Sequence, residues 1–303
     1  MREAIRMRVM AAALISGIGV SATGCTMAGA NAPSAAAAAA PGWRSGMAVQ
    51  LYTFHADLER NLAGTLARVK ALGFDKVETY PVPGVSAAQL RAALDAAGLK
   101  AVSAHVPFAQ IENDLEAVVA DVKTLGAVQF GPGSIWLHDT NERPLTLAQA
   151  ERAGGILARA CKAAEAANLR VFIHTHGNEF APTGGTTPLD RMLQTAGGCF
   201  DIEADIFWVQ AAGADPVELI RRHGARVRSL HLKDMARSAT MTNRFSAPPE
   251  ASVTIGQGKL DIAAIMRQAR AAGVRHYIIE DESRDPASQI PASLAYLDSL
   301  QLD

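Results

Sequence analysis

The chain has 303 residues, and its 29 Lys and Arg against 30 Asp and Glu give a formal net charge of −1. A near-neutral chain has no excess of basic residues for binding nucleic acid, so this class of function is disfavoured. Hydrophobic residues make up 49% of the chain and charged residues 19%, which is typical of a globular protein with a sizeable core.

The N-terminal segment predicts export. Three arginines precede an apolar run from Val9 to Val20, which is too short to span a bilayer but suits a signal peptide. The following Ala22-Thr23-Gly24-Cys25 resembles the lipobox of bacterial lipoproteins, and cleavage after Ala30 is the alternative. We therefore expect a signal peptide at 1–25, a flexible Ala/Pro-rich tether at 26–45 and a catalytic domain at 46–303. The protein would be periplasmic and would contact the membrane only through a lipid on Cys25.

The rest of the chain alternates short apolar runs with amphipathic stretches, several of which end at a glycine. Eight strands separated by helices predict one closed parallel barrel, the (β/α)₈ or TIM-barrel fold. No Gly-x-Gly-x-x-Gly motif follows the first strand, which disfavours an open dinucleotide-binding sheet. The predicted strands are Met47–Leu51, Lys76–Glu78, Ala101–Ala104, Val128–Phe130, Val171–Ile173, Phe200–Ala204, Val227–Leu230 and Tyr277–Ile279. The predicted helices are Leu58–Leu72, Ala87–Ala97, Ile111–Leu125, Leu147–Ala167, Pro188–Thr195, Pro216–Arg222 and Ile262–Ala272.

Metal-binding side chains follow the last four predicted strands, at His174, Asp205, His231 and Glu280. The carboxyl ends of barrel strands meet at one mouth, so these side chains are expected to converge on one divalent cation. Imidazole and carboxylate donors can bind Mn²⁺, Mg²⁺, Co²⁺ or Zn²⁺, and Mn²⁺ is the cofactor that we expect.

Three further residues are candidates for proton transfer and charge stabilisation. His174 and His176 are two apart on a strand and share a face, so either could bind the metal while the other acts as acid, base or hydrogen-bond donor. Glu179 could orient the second histidine or exchange protons itself. Lys233 shares the inward face with His231 and could stabilise an oxyanion. The alternative for Lys233 is a surface side chain paired with Asp234.

Candidate substrate-binding residues lie near the ends of the earlier strands and after the sixth. Gln50 and Glu78 could contact sugar hydroxyls, and Trp208 could stack on a sugar ring. His105 is either a substrate contact or a hydrogen-bonded core histidine. Besides Cys25, the chain has Cys161 and Cys199. An oxidising compartment would permit a disulfide between them, but Cys161 is expected to be a small core residue of a helix.

The combined motifs resemble the sugar phosphate isomerase/epimerase family, the xylose isomerase-like barrels that also include endonuclease IV-type enzymes. The resemblance runs from Met47 to the C-terminus. It implies one divalent metal at the barrel mouth, bound from strands five to eight, usually by Glu, Asp, His and Glu. The motifs that carry it are Val49-Gln50-Leu51-Tyr52, Leu72 to Glu78, Gly98 to His105, Asp205 with Trp208, His231 to Asp234, Gly256 and Gly258 with Asp261, and Ile279-Glu280.

One position departs from the family pattern, because His174 stands where Glu is usual. This departure disfavours the two-glutamate mechanism of the family's epimerases, and the His-x-His…Glu-Phe pattern resembles an exported branch associated with 3-keto-glycoside elimination. We therefore expect a metal-dependent sugar or keto-sugar isomerase, epimerase or lyase that removes a proton α to a carbonyl and forms a metal-stabilised enediolate. The alternatives are a non-catalytic carbohydrate-binding lipoprotein and, disfavoured by charge and export, an abasic-site endonuclease.

Overall fold

The computed structural model describes residues 43–135, 145–182, 184–241 and 246–302. The predicted signal peptide, Cys25 and most of the predicted tether lie outside the described residues. Eight parallel strands close into a barrel in the order β1-β10-β7-β6-β5-β4-β3-β2, so the predicted TIM-barrel fold is confirmed. The barrel strands are β1 Met47–Gln50, β2 Lys76–Thr79, β3 Lys100–Val106, β4 Gln129–Pro132, β5 Arg170–His174, β6 Asp201–Asp205, β7 Val227–Leu232 and β10 His276–Ile279.

Helices connect the strands and surround the barrel. Ser86 and Thr146 begin α3 and α6 with capping boxes, in which side chain and backbone satisfy each other's amide donors. No helix in the described ranges is long and apolar enough to cross a membrane. The helices are α1 His55–Arg60, α2 Leu62–Ala71, α3 Ala87–Ala97, α4 Phe108–Asn113, α5 Leu115–Leu125, α6 Leu147–Ala166, α7 Pro188–Thr195, α8 Ile206–Ala211, α9 Pro216–His223, α10 Ile262–Ala272 and α11 Pro286–Ser299.

Strand alternation separates the polar barrel interior from the apolar layer beneath the helices. In β6, the buried Ile202 and Ala204 belong to the hydrophobic core, whereas Glu203 and Asp205 point to the opposite face. The register pairs His174 with Glu203 and Asp205 with His231. The strand ends therefore place ligand-type side chains beside one another at the C-terminal mouth.

Two predicted helices are each divided in the structure. The predicted Leu58–Leu72 helix breaks at Asn61, whose side chain accepts a hydrogen bond from the backbone N–H of Gly64 at 3.0 Å and so begins α2. The predicted Ile111–Leu125 helix breaks at Asp114, and the first part begins earlier, at Phe108.

The predicted tether ends earlier than residue 45. Trp43–Gly46 forms a 3₁₀ helix, and Trp43 is buried in the core. The guanidinium of Arg44 forms an ion pair with Asp298 near the end of α11. A buried indole and a long-range ion pair fix this segment on the barrel, so the end of the predicted tether is wrong.

A two-stranded antiparallel hairpin beyond β7 was not predicted. It pairs β8 Asp234–Met235 with β9 Ser252–Val253. The Asp234 carboxylate accepts backbone N–H bonds from Met235, Gly256, Gly258 and Leu260 at 2.8–3.2 Å. A Cβ on Gly258 would lie 2.1 Å from Asp234 Oδ1, so glycine is required there. Asp234 thus fixes the loop beside the mouth.

Cys161 and Cys199 form a disulfide, with their Cα atoms 6.1 Å apart. The bond joins α6 to the segment that enters β6. The expectation that Cys161 is a simple core residue is therefore wrong, while the disulfide that the sequence permitted is present.

Candidate metal centre and active-site cavity

The four residues predicted to bind a metal converge at the barrel mouth. His174, Asp205, His231 and Glu280 each place a ligand-type atom within 4.8 Å of the others, and all four residues are buried. The ring centroids of His174 and His231 are 4.3 Å apart, and His231 Nδ1 lies 3.1 Å from Glu280 Oε2. Two imidazoles and two carboxylates from consecutive barrel strands thus form a compact donor set that can hold a metal ion.

The Asp205 carboxylate has one oxygen that suits a cation. Its Oδ1 caps α8 by accepting the backbone N–H of Trp208 at 3.0 Å. Its Oδ2 is buried and, among the described residues, has no hydrogen-bond partner. A buried carboxylate oxygen left unsatisfied costs free energy, and coordination to a divalent cation would satisfy it. The donor set therefore fits a metal ion.

The outward ring nitrogens of the two histidines are held by carboxylates. His174 Nδ1 lies 3.2 Å from Glu203 Oε1, and His231 Nε2 lies 2.7 Å from Glu78 Oε1. Metal-binding histidines commonly donate their second N–H to a carboxylate, which fixes the tautomer and orients the ring. This arrangement leaves Nε2 of His174 and Nδ1 of His231 as the nitrogens that can bind a metal.

Glu203 is a buried site residue that the sequence reasoning missed. Its side chain has no exposed area, and its Oε1 lies 2.8 Å from His105 Nε2 and 3.2 Å from His231 Nε2. With His105, His174 and His231 it forms a second group of ligand-type atoms within 4.8 Å of one another. The usable signal was its position two residues before Asp205, because alternate residues of a strand share a face.

Opposite charges beneath the mouth stabilise one another. Burial opposes ionisation of both Glu78 and His105, yet their mutual attraction outweighs it. The pKa of Glu78 therefore lies well below its ordinary value, and the pKa of His105 is raised to about 10. Burial and the charge of Glu78 raise the pKa of Glu203, but the facing His231 and His105 lower it to about 2. His105 is thus held as a cation between two carboxylates.

Gln50 and Glu78 do not reach the cavity, which corrects their predicted role in substrate binding. Both side chains are fully buried, and Gln50 Nε2 donates to Glu78 Oε1 at 2.7 Å. Glu78 also accepts from the Ser103 hydroxyl. A side chain without exposed area cannot touch a sugar, so these two residues support His231 and His105 from below.

A cavity of about 550 Å³ opens at the barrel mouth. This volume is in the usual range for small-molecule sites. Aromatic side chains form much of its wall, and the Tyr52 and Tyr80 rings meet edge-on at 5.4 Å. The cavity is lined by Tyr52, Tyr80, Pro81, His105, Val106, Pro107, Phe108, Ala109, Gly133, Ser134, His174, His176, Trp208, Glu280 and Glu282.

The predicted substrate contacts His105 and Trp208 both line this cavity, and so does His176. The His105 side chain is only 11% exposed, so it faces the cavity while both ring nitrogens lie near polar partners. The rings of His176 and Trp208 are 5.4 Å apart. His176 is therefore placed at the cavity wall, whereas His174 belongs to the four-residue cluster.

Glu179 and Lys233 lie behind the cavity wall. Glu179 is buried, and its Oε2 accepts the backbone N–H of His176 at 2.9 Å, which braces the loop after β5. Lys233 is buried and forms an ion pair with Glu282, which lines the cavity. Its ammonium also lies 5.5 Å from the Trp208 ring centroid. The alternative of a surface lysine paired with Asp234 is therefore wrong.

The fold and this cluster define a TIM barrel whose mouth combines a metal-compatible donor set with an aromatic cavity. Residues 66–300 match the sequence model of the xylose isomerase-like TIM barrel family, and the chain belongs to this family. No curated protein matches the sequence. Solved structures of low sequence identity share the fold, and they include a sugar phosphate isomerase/epimerase and an L-ribulose 3-epimerase.

Three of these structures illustrate the similarity. A sugar phosphate isomerase/epimerase from Parabacteroides distasonis ATCC 8503 has a TM-score of 0.69 and 19% identity, over 90% of this chain and 98% of that chain. An L-ribulose 3-epimerase has a TM-score of 0.62 and 18% identity, over 84% and 93%. An IOLI protein with a zinc atom has a TM-score of 0.63 and 14% identity, over 84% and 97%. At these identities the likeness shows the fold alone.

Proposed function

We propose that the protein is a divalent-metal-dependent enzyme that removes a proton α to the carbonyl of a sugar or keto-sugar. The outcome would be isomerisation, epimerisation or β-elimination of a glycosidic substituent. The observation that supports it most is the convergence of His174, Asp205, His231 and Glu280, with a buried Asp205 oxygen that lacks a protein partner. The sugar isomerase and epimerase barrels that share the fold support the reaction class.

The proposed cofactor is Mn²⁺, with Mg²⁺, Co²⁺ or Zn²⁺ as alternatives, because two imidazoles and two carboxylates are borderline-to-hard donors. When bound, the cation would polarise the substrate carbonyl and offset the negative charge that develops on its oxygen. Glu203 and Glu78 keep the two histidine rings in the orientation that binding requires. The zinc atom in the IOLI protein structure is in keeping with a metal in this fold.

The proposed base is His176, with Glu280 as the alternative. Both line the cavity, where a substrate carbon would lie. Burial lowers the pKa of the His176 imidazole to about 3, so the ring is neutral at neutral pH, and the nearby negative charge of Glu280 opposes this shift. Glu179 holds the backbone of His176 in place. Lys233 pairs with Glu282 and so holds this carboxylate at the cavity wall.

We propose an unphosphorylated substrate. Among the described residues, no Lys or Arg lines the cavity, and a phosphate group normally requires such a cation. The aromatic wall suits stacking against sugar C–H faces. Export to the periplasm with lipid attachment at Cys25 agrees with this substrate class, and the Cys161–Cys199 disulfide supports an oxidising compartment.

The test incubates the purified protein with Mn²⁺ and either keto-glycosides or free hexoses in D₂O, and follows deuterium at carbon. We expect label uptake or an eliminated product, and loss of both in Asp205→Asn. Asp121→Asn is the matched control, because Asp121 is exposed on α5. Sugar binding without uptake or product, with any of the four metals, would favour the carbohydrate-binding protein instead.

A further inference from the structure

The face opposite the cavity carries a strong excess of positive charge. Eight connections lead into the N-terminal ends of the barrel strands, at residues 43–46, 72–76, 98–100, 126–129, 167–170, 196–201, 224–228 and 273–276. They contain seven Lys and Arg but only two acidic residues, Asp75 and Asp201, in a chain whose formal net charge is −1. The seven cations, here called the basic floor, are Arg44, Lys76, Lys100, Arg170, Arg226, Arg228 and Arg275.

The basic floor is accessible and incompletely neutralised. Lys100, Arg226 and Arg275 are exposed, and within the described part of the chain Lys100 and Arg275 make no side-chain hydrogen bond or ion pair. Asp201 is shared by two of the cations, with Arg170 Nε at 2.6 Å and Arg228 Nε at 3.5 Å. Arg44 pairs with Asp298 beside the floor, and Asp75 pairs with Lys70. The remaining cations leave the floor with a net positive charge.

Like charges on the floor lie close enough to act on one another. The backbone N–H of Arg275 donates to the carbonyl of Arg228 at 2.9 Å, and β2 and β3 pair Lys76 with Lys100. Burial and the charge of neighbouring Arg170 lower the pKa of Arg228. Clustered cations destabilise a folded state, so their concentration on one face suggests a binding role.

The opposite end of the barrel carries several carboxylates. Glu280 and Glu282 line the cavity there, and Asp205 and Asp281 are buried close by in the chain. An anionic surface would attract the floor, because charges within a Debye length of about 10 Å dominate such contacts. Charge asymmetry of this kind selects one orientation.

The chain also enters the barrel at the floor. Trp43–Gly46 leads directly into β1, so the preceding residues join the domain on this face. Trp43 lies 18 residues after Cys25. A tether of the kind predicted from the Ala/Pro-rich composition would have an end-to-end distance of about 25 Å at that length, so a lipid on Cys25 would keep the floor near a bilayer.

We propose that the basic floor docks on the surface of an anionic phospholipid bilayer, so that the cavity faces away from the membrane. The attraction between the floor and the bilayer depends only on the described residues. The tethering also depends on the proposed lipid attachment at Cys25. The catalytic proposal does not enter, because no residue of the floor belongs to the cavity. The docked orientation would leave the mouth open to soluble sugars.

Vesicle flotation of the full chain tests the docking. One vesicle contains phosphatidylcholine alone, and the other contains phosphatidylcholine and phosphatidylglycerol at a ratio of 7:3. Any lipid on the protein contributes equally to binding of both vesicles. The difference in binding between the two vesicles therefore measures the effect of their charge. We expect tighter binding to the anionic vesicle at 50 mM NaCl and no difference at 500 mM NaCl.

Two matched double variants locate the binding face. Each cation near an anionic surface contributes about fivefold to binding, so Lys100→Gln with Arg275→Gln should weaken anionic-vesicle binding at least tenfold. Arg237→Gln with Arg284→Gln, which removes two exposed cations that follow strands at the mouth end, should change it less than twofold. Thermal unfolding of both variants checks that the fold is intact.

Lysine acetylation read by mass spectrometry reports the orientation. Anionic vesicles should protect Lys100 at the floor and leave Lys259, an exposed lysine beside the mouth hairpin, as reactive as in solution. Equal binding to both vesicles, equal weakening by the two double variants, or protection of Lys259 instead of Lys100 would each overturn the proposal.

Discussion

Replacing Glu203 with Gln tests how far a buried carboxylate outside the four-residue cluster controls metal binding. Glu203 Oε1 contacts three imidazoles, at 2.8 Å from His105 Nε2 and 3.2 Å from both His174 Nδ1 and His231 Nε2. Glutamine retains an acceptor oxygen and the side-chain volume, but it removes the negative charge. The variant therefore isolates charge from packing.

Glu203→Gln should weaken metal binding by roughly 10- to 100-fold, or about 1.4–2.7 kcal/mol, which is the usual cost of losing a carboxylate partner of a histidine ligand. We expect the lower half of this range, since Glu78 lies closer to His231 Nε2, at 2.7 Å against 3.2 Å, and would still hold that ring. The assay is a competition titration of Mn²⁺ and Zn²⁺ against a chelator of known affinity. It reads metal affinity directly and does not depend on knowing the substrate.

Glu250→Gln is the control for this measurement. Glu250 has a 62% exposed side chain and pairs with Arg284 on the surface, so its charge should not affect the cluster. Affinity in Glu203→Gln within a factor of three of the wild type would refute the inference that Glu203 orients the histidines. An equal loss in Glu250→Gln would show that net charge alone, and no specific contact, sets the affinity.

Three other outcomes follow from the structure. Cys199→Ser should lower the free energy of unfolding by about 3–4 kcal/mol, because the bond closes a long loop, and dithiothreitol should lower the melting temperature of the wild type but not of the variant. Gly258→Ala should cost about 2 kcal/mol or more, since its Cβ would lie 2.1 Å from Asp234 Oδ1. Gly155→Ala on α6 is its control, because nothing lies within 4 Å of that Cβ and alanine favours a helix. Treatment with EDTA should lower the melting temperature of metal-loaded protein, and Mn²⁺ should restore it; equal melting with and without metal would refute a bound cation.

The barrel could be predicted from the sequence because its signals are local. Short apolar runs, amphipathic stretches and terminal glycines gave the bounds of α3, α7 and α10 as the structure has them. The hairpin beyond β7 could not be predicted in this way. It depends on the Asp234 carboxylate meeting Gly256 and Gly258, more than 20 residues away, and no local pattern reports such a contact.

The candidate site could likewise be predicted only in part from the sequence. The convergence of four ligand-type residues follows from one rule, that parallel strands end at one mouth. Depth inside the barrel follows from the stagger of the strands, which the sequence does not show. Gln50 and Glu78 end their strands below the cavity, and Glu203 lies one layer beneath Asp205. Reasoning that looked only past the strand ends therefore placed the first two wrongly and missed the third.

The charge of the side chain at the strand-five position differs from that in the family pattern. The family resemblance implies Glu as the usual ligand at the strand-five position, whereas this chain has His174 as the proposed ligand, with a pKa that burial lowers well below its ordinary value. Glu203, behind that ring, supplies a buried carboxylate within 3.2 Å of it. We infer that Glu203 on β6 supplies, from behind the His174 ring, the negative charge that the strand-five Glu would supply in the family pattern. A bound cation would then meet a similar total charge.

A double-mutant cycle tests this inference. His174→Glu alone would place two carboxylates against each other, and like charges at such a distance cannot both ionise, so Mn²⁺ affinity should fall by at least tenfold. His174→Glu with Glu203→Gln removes the repulsion and should recover most of that affinity, although Glu203→Gln alone weakens binding. The expected coupling is about 1–3 kcal/mol in favour of the double variant. Additive losses would show that the charges at positions 174 and 203 affect Mn²⁺ affinity independently. The histidine at position 174 would then need a different explanation.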